Sequence, residues 1–151
     1  MHINVILFLT ALMLALGFAA LYGGAPERWV AGMFAAATLA SHLLYAGPAQ
    51  RYHAAELYVA AVDLALLAGI TVVLARADRF WPIALFATHG ITVLAHVVKL
   101  LDAAVVKQAY AISIAAPGYL ALLILTVGVL RHRRRAREFG ADRAWSQGPN
   151  P

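Results

Sequence analysis

The sequence contains no cysteine and few charged residues, and both absences narrow what the protein can be. Without cysteine there is no disulfide framework, no thiolate nucleophile and no cysteine metal cluster. Charged residues make up 13% of the chain, whereas a soluble domain carries roughly 25% and needs them to cover its surface. Hydrophobic residues make up 63%, more than one small core can hide, so we expect the surplus to face lipid.

The sequence also lacks the short motifs that carry common enzyme chemistry. It has no glycine-rich phosphate loop and no HExxH-type metal motif. Its first residues, Met1 to Asn4, lack the basic region of a cleaved signal peptide, so we interpret the first apolar segment as a retained helix. These features favour a non-enzymatic protein.

Five apolar segments follow one another along the chain, each near the ~20 residues that cross a bilayer. They cover residues 3–22, 29–45, 53–74, 80–101 and 106–130. We therefore predict an all-α integral membrane protein, a bundle of about five transmembrane helices with short loops in residues 1–131. The second segment is the shortest, so four spans are the alternative. Pro117, inside the fifth segment, predicts a kink.

Arginine is concentrated at the C-terminal end, in residues 132–151, which we interpret as a basic and flexible cytoplasmic tail. Counting Lys and Arg on each side places the N-terminus outside and this tail inside. The Ala-, Leu- and Arg-rich composition suits a bacterium, so we expect the inner membrane, with the N-terminus periplasmic. The arginines predicted to contact anionic lipid headgroups and hold the topology are Arg131, Arg133, Arg134, Arg135 and Arg137. No aromatic interleaving or fold feature supports nucleic-acid binding.

Polar residues inside the apolar segments lie on two helical stripes. On the third segment they are His53, Glu56 and Asp63; on the fourth they are His89, Thr92, His96, Lys99 and Asp102. Spacings of three, four and seven residues put each set on one face of its helix. Consecutive spans joined by a short loop are antiparallel neighbours, so the two stripes should face each other.

An antiparallel register in which facing position numbers sum to 155 makes these stripes complementary. It pairs Glu56 with Lys99 and His53 with Asp102 as interhelical ion pairs. It also places Asp63 beside Thr92 and therefore between the two histidines of the fourth segment. His42, on the second segment, should lie at about the depth of His96 and join the same cluster.

The cluster of Asp63, His89, Thr92, His96 and His42 has two interpretations. Buried polar groups that satisfy one another can simply fix helix packing. Alternatively, a carboxylate and two imidazoles within a membrane could relay protons, hold a divalent metal or hydrogen-bond a quinone headgroup. His42 and His96 could also ligate haem b from two helices. We predict no cofactor, and leave haem and a divalent metal as alternatives.

Loops this short leave the helix faces as the main binding surface. The leading hypothesis is therefore a small accessory or structural subunit that packs against a larger membrane complex or against itself. Small residues that would allow close helix approach are Gly17, Gly32, Ala36 and Ala40. The competing hypothesis is a proton-relaying or cofactor-binding bundle that uses Asp63, His89 and His96. Aromatic residues expected at the membrane interfaces are Trp29, Tyr45, Tyr58, Phe80, Trp81 and Tyr110.

Overall fold

The computed structural model of the protein describes residues 2–43, 57–102, 104, 106–140, 142 and 145. The regular elements in these ranges are all α-helices: α1 His2–Tyr22, α2 Ala25–Leu43, α3 Leu57–Arg76, α4 Trp81–Leu101 and α5 Lys107–Phe139. The predicted all-helical fold is confirmed for this part of the chain.

Four helices, α1, α3, α4 and α5, are long and apolar enough to cross a membrane. Helix α2 falls short because it carries Glu27, Arg28 and His42 and consists largely of small side chains. The outward faces of the bundle are nevertheless apolar on every helix. Large exposed side chains include Leu14, Leu39, Leu64, Leu94 and Leu123. Such a surface suits lipid and not water.

Two contacts show that successive helices run in alternating directions. The guanidinium carbon of Arg133 lies 4.5 Å from the centre of the Tyr22 ring. The indole Nε1–H of Trp81 donates to Glu27 Oε1 at 3.1 Å. The end of α1, the starts of α2 and α4 and the last third of α5 therefore meet at one end of the bundle. We call it the basic end, because its charged residues include Arg28, Arg76, Arg79, Arg131, Arg133, Arg134, Arg135 and Arg137.

The half of the core nearest the basic end is apolar except for Glu27, which is also buried. Its side chains come from four helices: Val30, Ile70, Leu85, Leu125 and Val129 are completely buried. Two glycines permit close packing here. A Cβ on Gly69 would collide with the Met33 sulfur. A Cβ on Gly128 would lie 3.1 Å from the Trp81 indole, tighter than ordinary contact.

Helix α5 continues beyond the predicted end of its apolar segment at residue 130. It runs through Pro117 and on to Phe139, and ends at Gly140, whose φ of 73° is the left-handed conformation that glycine tolerates. One ion pair supports this extension, because Arg134 Nε lies 2.7 Å from Glu138 Oε1, one turn further along. The first eight residues of the predicted tail are thus helical.

Candidate functional site

Helix α4 buries a polar face. Thr88, His89, Thr92, His96 and Lys99 are all buried, and their spacing places them on one side of the helix. This side faces α3 and α5, which are the neighbours of α4 in the bundle. The predicted stripe on this segment is therefore an interior surface.

Asp63 of α3 lies against both histidines of that face. His96 Nε2 lies 2.9 Å from Asp63 Oδ2. His89 Nε2 lies 3.0 Å from the backbone carbonyl oxygen of Asp63 and 3.7 Å from its Oδ1. The first two contacts are hydrogen bonds, and the third is within ion-pair range only. The structure thus brings together Asp63, His89 and His96, with Thr92 buried between the histidines.

Tyr110 of α5 completes the group, although the sequence did not indicate that it belongs there. Its hydroxyl lies 2.8 Å from His96 Nδ1, and the side chain is 2% exposed. A depth near the membrane interface stays a prediction for Tyr110, but its hydroxyl faces the bundle interior and has a partner on α4. We call Asp63, His89, His96 and Tyr110 the imidazole cluster.

The chemistry of this cluster follows from the two ring nitrogens of His96. When the imidazole is neutral, its Nε2–H donates to the Asp63 carboxylate and Nδ1 accepts from the Tyr110 hydroxyl. When it is protonated, both nitrogens donate. A carboxylate, an imidazole and a phenol therefore form one hydrogen-bonded chain, along which a proton can change position without breaking the packing.

The imidazole cluster lies toward the end of the bundle opposite the basic end. Tyr110 is the fourth residue of α5. His96 precedes the last residue of α4 by five positions, about 7.5 Å along the helix. Asp63, the seventh residue of the described helix α3, lies nearer to this end of α3 than to its other end. Between Thr88 and the basic end, the described core is apolar, so no chain of described polar groups connects the two ends.

His42 does not belong to the imidazole cluster. It is exposed near the end of α2, whereas the contact between α2 and α4 that joins Glu27 to Trp81 lies at the basic end. The predicted haem pair of His42 and His96 is therefore absent from the described packing. Both ring nitrogens of His96 are also engaged, by Asp63 and Tyr110.

The predicted ion-pair ladder lies partly outside the described residues. Lys99 is buried on the polar face of α4. Asp102 is exposed, and its Oδ1 accepts the backbone N–H of Ala104 at 2.8 Å. His53 and Glu56 are not among the described residues, so the pairs Glu56–Lys99 and His53–Asp102 stay predictions.

A second group of charges lies at the basic end, around Asp142. The shortest contacts of its carboxylate are with Arg79 Nη2 at 2.8 Å, Arg135 Nε at 2.9 Å and His132 Nδ1 at 2.6 Å. We call Asp142, Arg79, Arg135 and His132 the arginine cluster. Burial by itself raises the pKa of Asp142. Hydrogen bonds from Arg135 and His132 and the charge of Arg79 outweigh burial and hold that pKa below its usual range.

Trp81 and Glu27 lie beneath the arginine cluster. Glu27 is completely buried, and one of its carboxylate oxygens accepts the indole N–H of Trp81. Trp81 is the first residue of α4, so its position near a membrane interface stays a prediction, while its indole N–H faces this internal partner. Gly24 allows the approach, since a Cβ there would lie 2.9 Å from both Glu27 Oε2 and His132 Cε1.

The five arginines predicted to contact lipid differ in their surroundings. Arg133 stacks on Tyr22, Arg134 pairs with Glu138, and Arg135 binds Asp142. Arg131 and Arg137 are exposed. The contact of these side chains with lipid headgroups stays a prediction.

Comparison with known proteins identifies no relative: no protein-family model, no curated protein and no solved structure matches this chain. Among the described residues, no three His, Cys, Asp or Glu side chains are grouped closely enough to hold a metal ion. The functional argument therefore depends on the geometry of the bundle and its two polar clusters.

Proposed function

We propose that this chain is a small, non-enzymatic multi-pass membrane protein that packs through α2 against another membrane helix. That helix belongs either to a larger complex or to a second copy of the chain. The protein would act as an accessory or structural subunit. The observation that carries this proposal is the exposed face of α2.

The middle of that face is made of small residues, between the exposed Trp29 and Leu39. Gly32, Ala35 and Ala36 are exposed, and a Cβ placed on Gly32 would have no atom within 4 Å. Inside a helix, glycine costs about 1 kcal/mol relative to alanine, and no contact within the bundle requires it at position 32. Small faces allow a second helix to approach closely in a membrane, where packing drives association. A partner helix would also explain why α2 is less apolar than its neighbours.

The proposal includes five spans and a bacterial inner-membrane location. Helix α2 has 19 residues, about 28 Å at 1.5 Å per residue, and it lies antiparallel between α1 and α3. The arginine-rich basic end favours a cytoplasmic position for the C-terminus and a periplasmic N-terminus. Fusing a reporter that works only in the cytoplasm to each terminus tests this orientation. Activity of the N-terminal fusion alone would overturn it.

Photo-crosslinking tests the packing surface. A photoreactive residue at Ala36, on the small-residue face, should give a discrete protein adduct in native membranes. The same residue at Leu94, an exposed position on α4, should give lipid adducts only. The mass of the Ala36 adduct distinguishes a second copy from a different subunit.

A substitution at Gly32 gives an independent test. Gly32→Leu has open space within the bundle, so the purified variant should melt no lower than the wild type while the Ala36 adduct disappears. Equal adducts at Ala36 and Leu94, or an adduct that survives Gly32→Leu, would exclude α2 as the contact surface.

The imidazole cluster supports a second candidate function, a proton-exchanging or ligand-binding bundle. The specific observation is the hydrogen-bonded chain Asp63–His96–Tyr110. Because the core beyond it is apolar, such a site would exchange protons with one side of the membrane only. It would also suit a ligand with hydrogen-bonding oxygens, such as a quinone headgroup.

The variant Asp63→Asn separates the two candidates. The amide still donates and accepts, so the bundle should stay folded and inserted. If the cluster is active, this variant should fail to restore the phenotype caused by deleting the gene. Full complementation by a folded Asp63→Asn protein would leave the structural-subunit proposal alone.

A further inference from the structure

A cleft of about 370 Å³ opens beside the arginine cluster at the basic end. Arg79, Arg131, Arg135 and Asp142 contribute most of its charged lining, and exposed Asp78 lies at its edge. Three guanidinium groups thus face two carboxylates. The cleft has a net positive charge and suits an anion.

Asp142 shows what kind of anion the cleft accepts. Arg135 offers Nε to Oδ1 at 2.9 Å and Nη2 to Oδ2 at 3.3 Å. Arg79, whose side chain is 5% exposed, approaches the same carboxylate from the α3–α4 connection. This two-point guanidinium geometry recognises phosphate as well as carboxylate.

Arg131 has positive charge available in the same cleft. Within the described part of the chain, it is the cleft arginine to which the structure gives no carboxylate partner. It follows Leu130 directly, at the point where the apolar part of α5 ends. In the proposed topology this is the depth of the cytoplasmic lipid headgroups. Exposed Phe80 lines the cleft as well, as aromatic residues do at membrane interfaces.

We propose that this cleft binds the phosphate group of an anionic lipid headgroup. Arg131 makes the first contact, and Asp142 is an internal carboxylate that competes with the phosphate for Arg79 and Arg135. This inference depends on the proposed membrane location. It also differs from a diffuse attraction of the whole tail to lipid, because it assigns binding to one arginine and not to its neighbours.

Matched arginine variants separate the two possibilities. In mild detergent, Arg131→Gln and Arg134→Gln remove the same charge from the same helix one turn apart. Arg134 is exposed and pairs with Glu138, outside the cleft. Native mass spectrometry with short-chain phosphatidylglycerol should show binding about fivefold weaker for Arg131→Gln and unchanged for Arg134→Gln. Equal losses of phosphatidylglycerol binding in the two variants would show that the cleft is not a specific site and that the tail attracts lipid only through its overall charge.

Asp142→Asn tests the competition directly. Removing the internal carboxylate frees Arg79 and Arg135, so phosphatidylglycerol should bind more tightly than to the wild type. Glu138→Gln, the same charge change at an exposed position, should not strengthen binding. A gain that is equal in both variants, or absent in Asp142→Asn, would show that Asp142 does not occupy the phosphate position.

The source of the phosphate is decided by competition. If inorganic phosphate does not displace phosphatidylglycerol, and phosphatidylcholine does not stay bound to the protein, the ligand is an anionic lipid. If inorganic phosphate displaces phosphatidylglycerol, the proposal of a lipid ligand is overturned, and the cleft binds a soluble phosphate compound instead. These titrations are made on the purified protein, so they do not depend on its orientation. The reporter fusions test the topology, and the α2 crosslinks test the packing surface, so a failure of either is distinguishable from a failure of the cleft.

Discussion

Two aspartates organise the polar chemistry of this bundle, and their partners differ in kind. Asp63 lies among helices α3, α4 and α5 and contacts two imidazoles, one of which binds a phenol. Asp142 lies at the basic end and binds one imidazole and two guanidinium groups. Both carboxylates are mostly buried, so each depends on its partners for compensation.

The difference is one of permanent charge. A guanidinium group is always charged at working pH, so Asp142 has a salt bridge under all ordinary conditions. The imidazoles around Asp63 are charged only when protonated. The imidazole cluster can therefore change its charge state in place, whereas the arginine cluster is a fixed electrostatic tie. The proposed proton exchange therefore involves the first region, and the proposed anion binding involves the second.

The largest effect should come from removing the Asp63 carboxylate. Asp63→Ala leaves the buried His96 Nε2–H without an acceptor, and such a loss costs about 1–3 kcal/mol. Thermal or denaturant unfolding in mild detergent measures it. Asp102→Ala, an exposed carboxylate toward the same end of the bundle, is the control and should change the free energy of unfolding much less. Similar losses for both variants would mean that Asp63 is not held as described.

Tyr110→Phe should have an intermediate effect. It removes one buried hydroxyl that bonds His96 and keeps the ring, so we expect a loss of about 1 kcal/mol. Tyr58→Phe removes a hydroxyl from an exposed ring on α3 and should be neutral. The same unfolding measurement applies. If Tyr110→Phe leaves the free energy of unfolding unchanged, the Tyr110 hydroxyl does not belong to the hydrogen-bonded chain with His96 and Asp63.

The arginine cluster should respond to pH in acid only. The pKa of Asp142 in the folded protein is lower than its ordinary value of 3.8. The stability that the Asp142 carboxylate contributes is therefore complete above pH 3.8, and it is lost as the pH falls through the lower pKa of the folded state. The difference in stability between wild type and Asp142→Asn, about 1 kcal/mol for hydrogen bonds to a charged group near the surface, should stay constant from pH 7 to 5. If the stability difference between wild type and Asp142→Asn vanished near pH 6, the protonation of His132 and not that of Asp142 would govern it.

The smallest effect concerns the predicted Glu56–Lys99 pair. Glu56→Gln and Lys99→Met should each destabilise the bundle, and the double variant should lose less than the sum of the two. The coupling energy should be about 0.6 kcal/mol, the average for polar pairs in membranes. Strict additivity in a double-mutant cycle would show that these side chains do not meet. The antiparallel register would then need revision near the end of α4.

Much of the local structure could be predicted from the sequence. Long apolar runs separated by glycine, proline and charge define the helices, because backbone groups in lipid must be satisfied within each segment. The positions of His89, Thr92 and His96 on one face follow from helical periodicity alone. A polar stripe on an apolar helix is expected to face inward, and α4 does bury that face.

The neighbours of each face could not be predicted in the same way. Trp81 and Tyr110 lie near helix ends, where a single segment predicts an aromatic residue that faces the membrane interface, but both direct their polar atoms into the bundle. Their buried partners, Glu27 and His96, are 54 and 14 residues away in the chain. A pattern within one helix has no information about such distant contacts.

The helices, their apolar surface and the polar stripe of α4 could be predicted because they depend on interactions within a few turns. The tertiary structure alone decided that α5 contributes Tyr110, that His42 lies apart from His96 and that Asp142 joins Arg79 to Arg135. Those outcomes depend on which helices are neighbours and on the axial register between them. The packing of whole faces sets both, because the free energy of burying side chains is shared among all the helices that surround them.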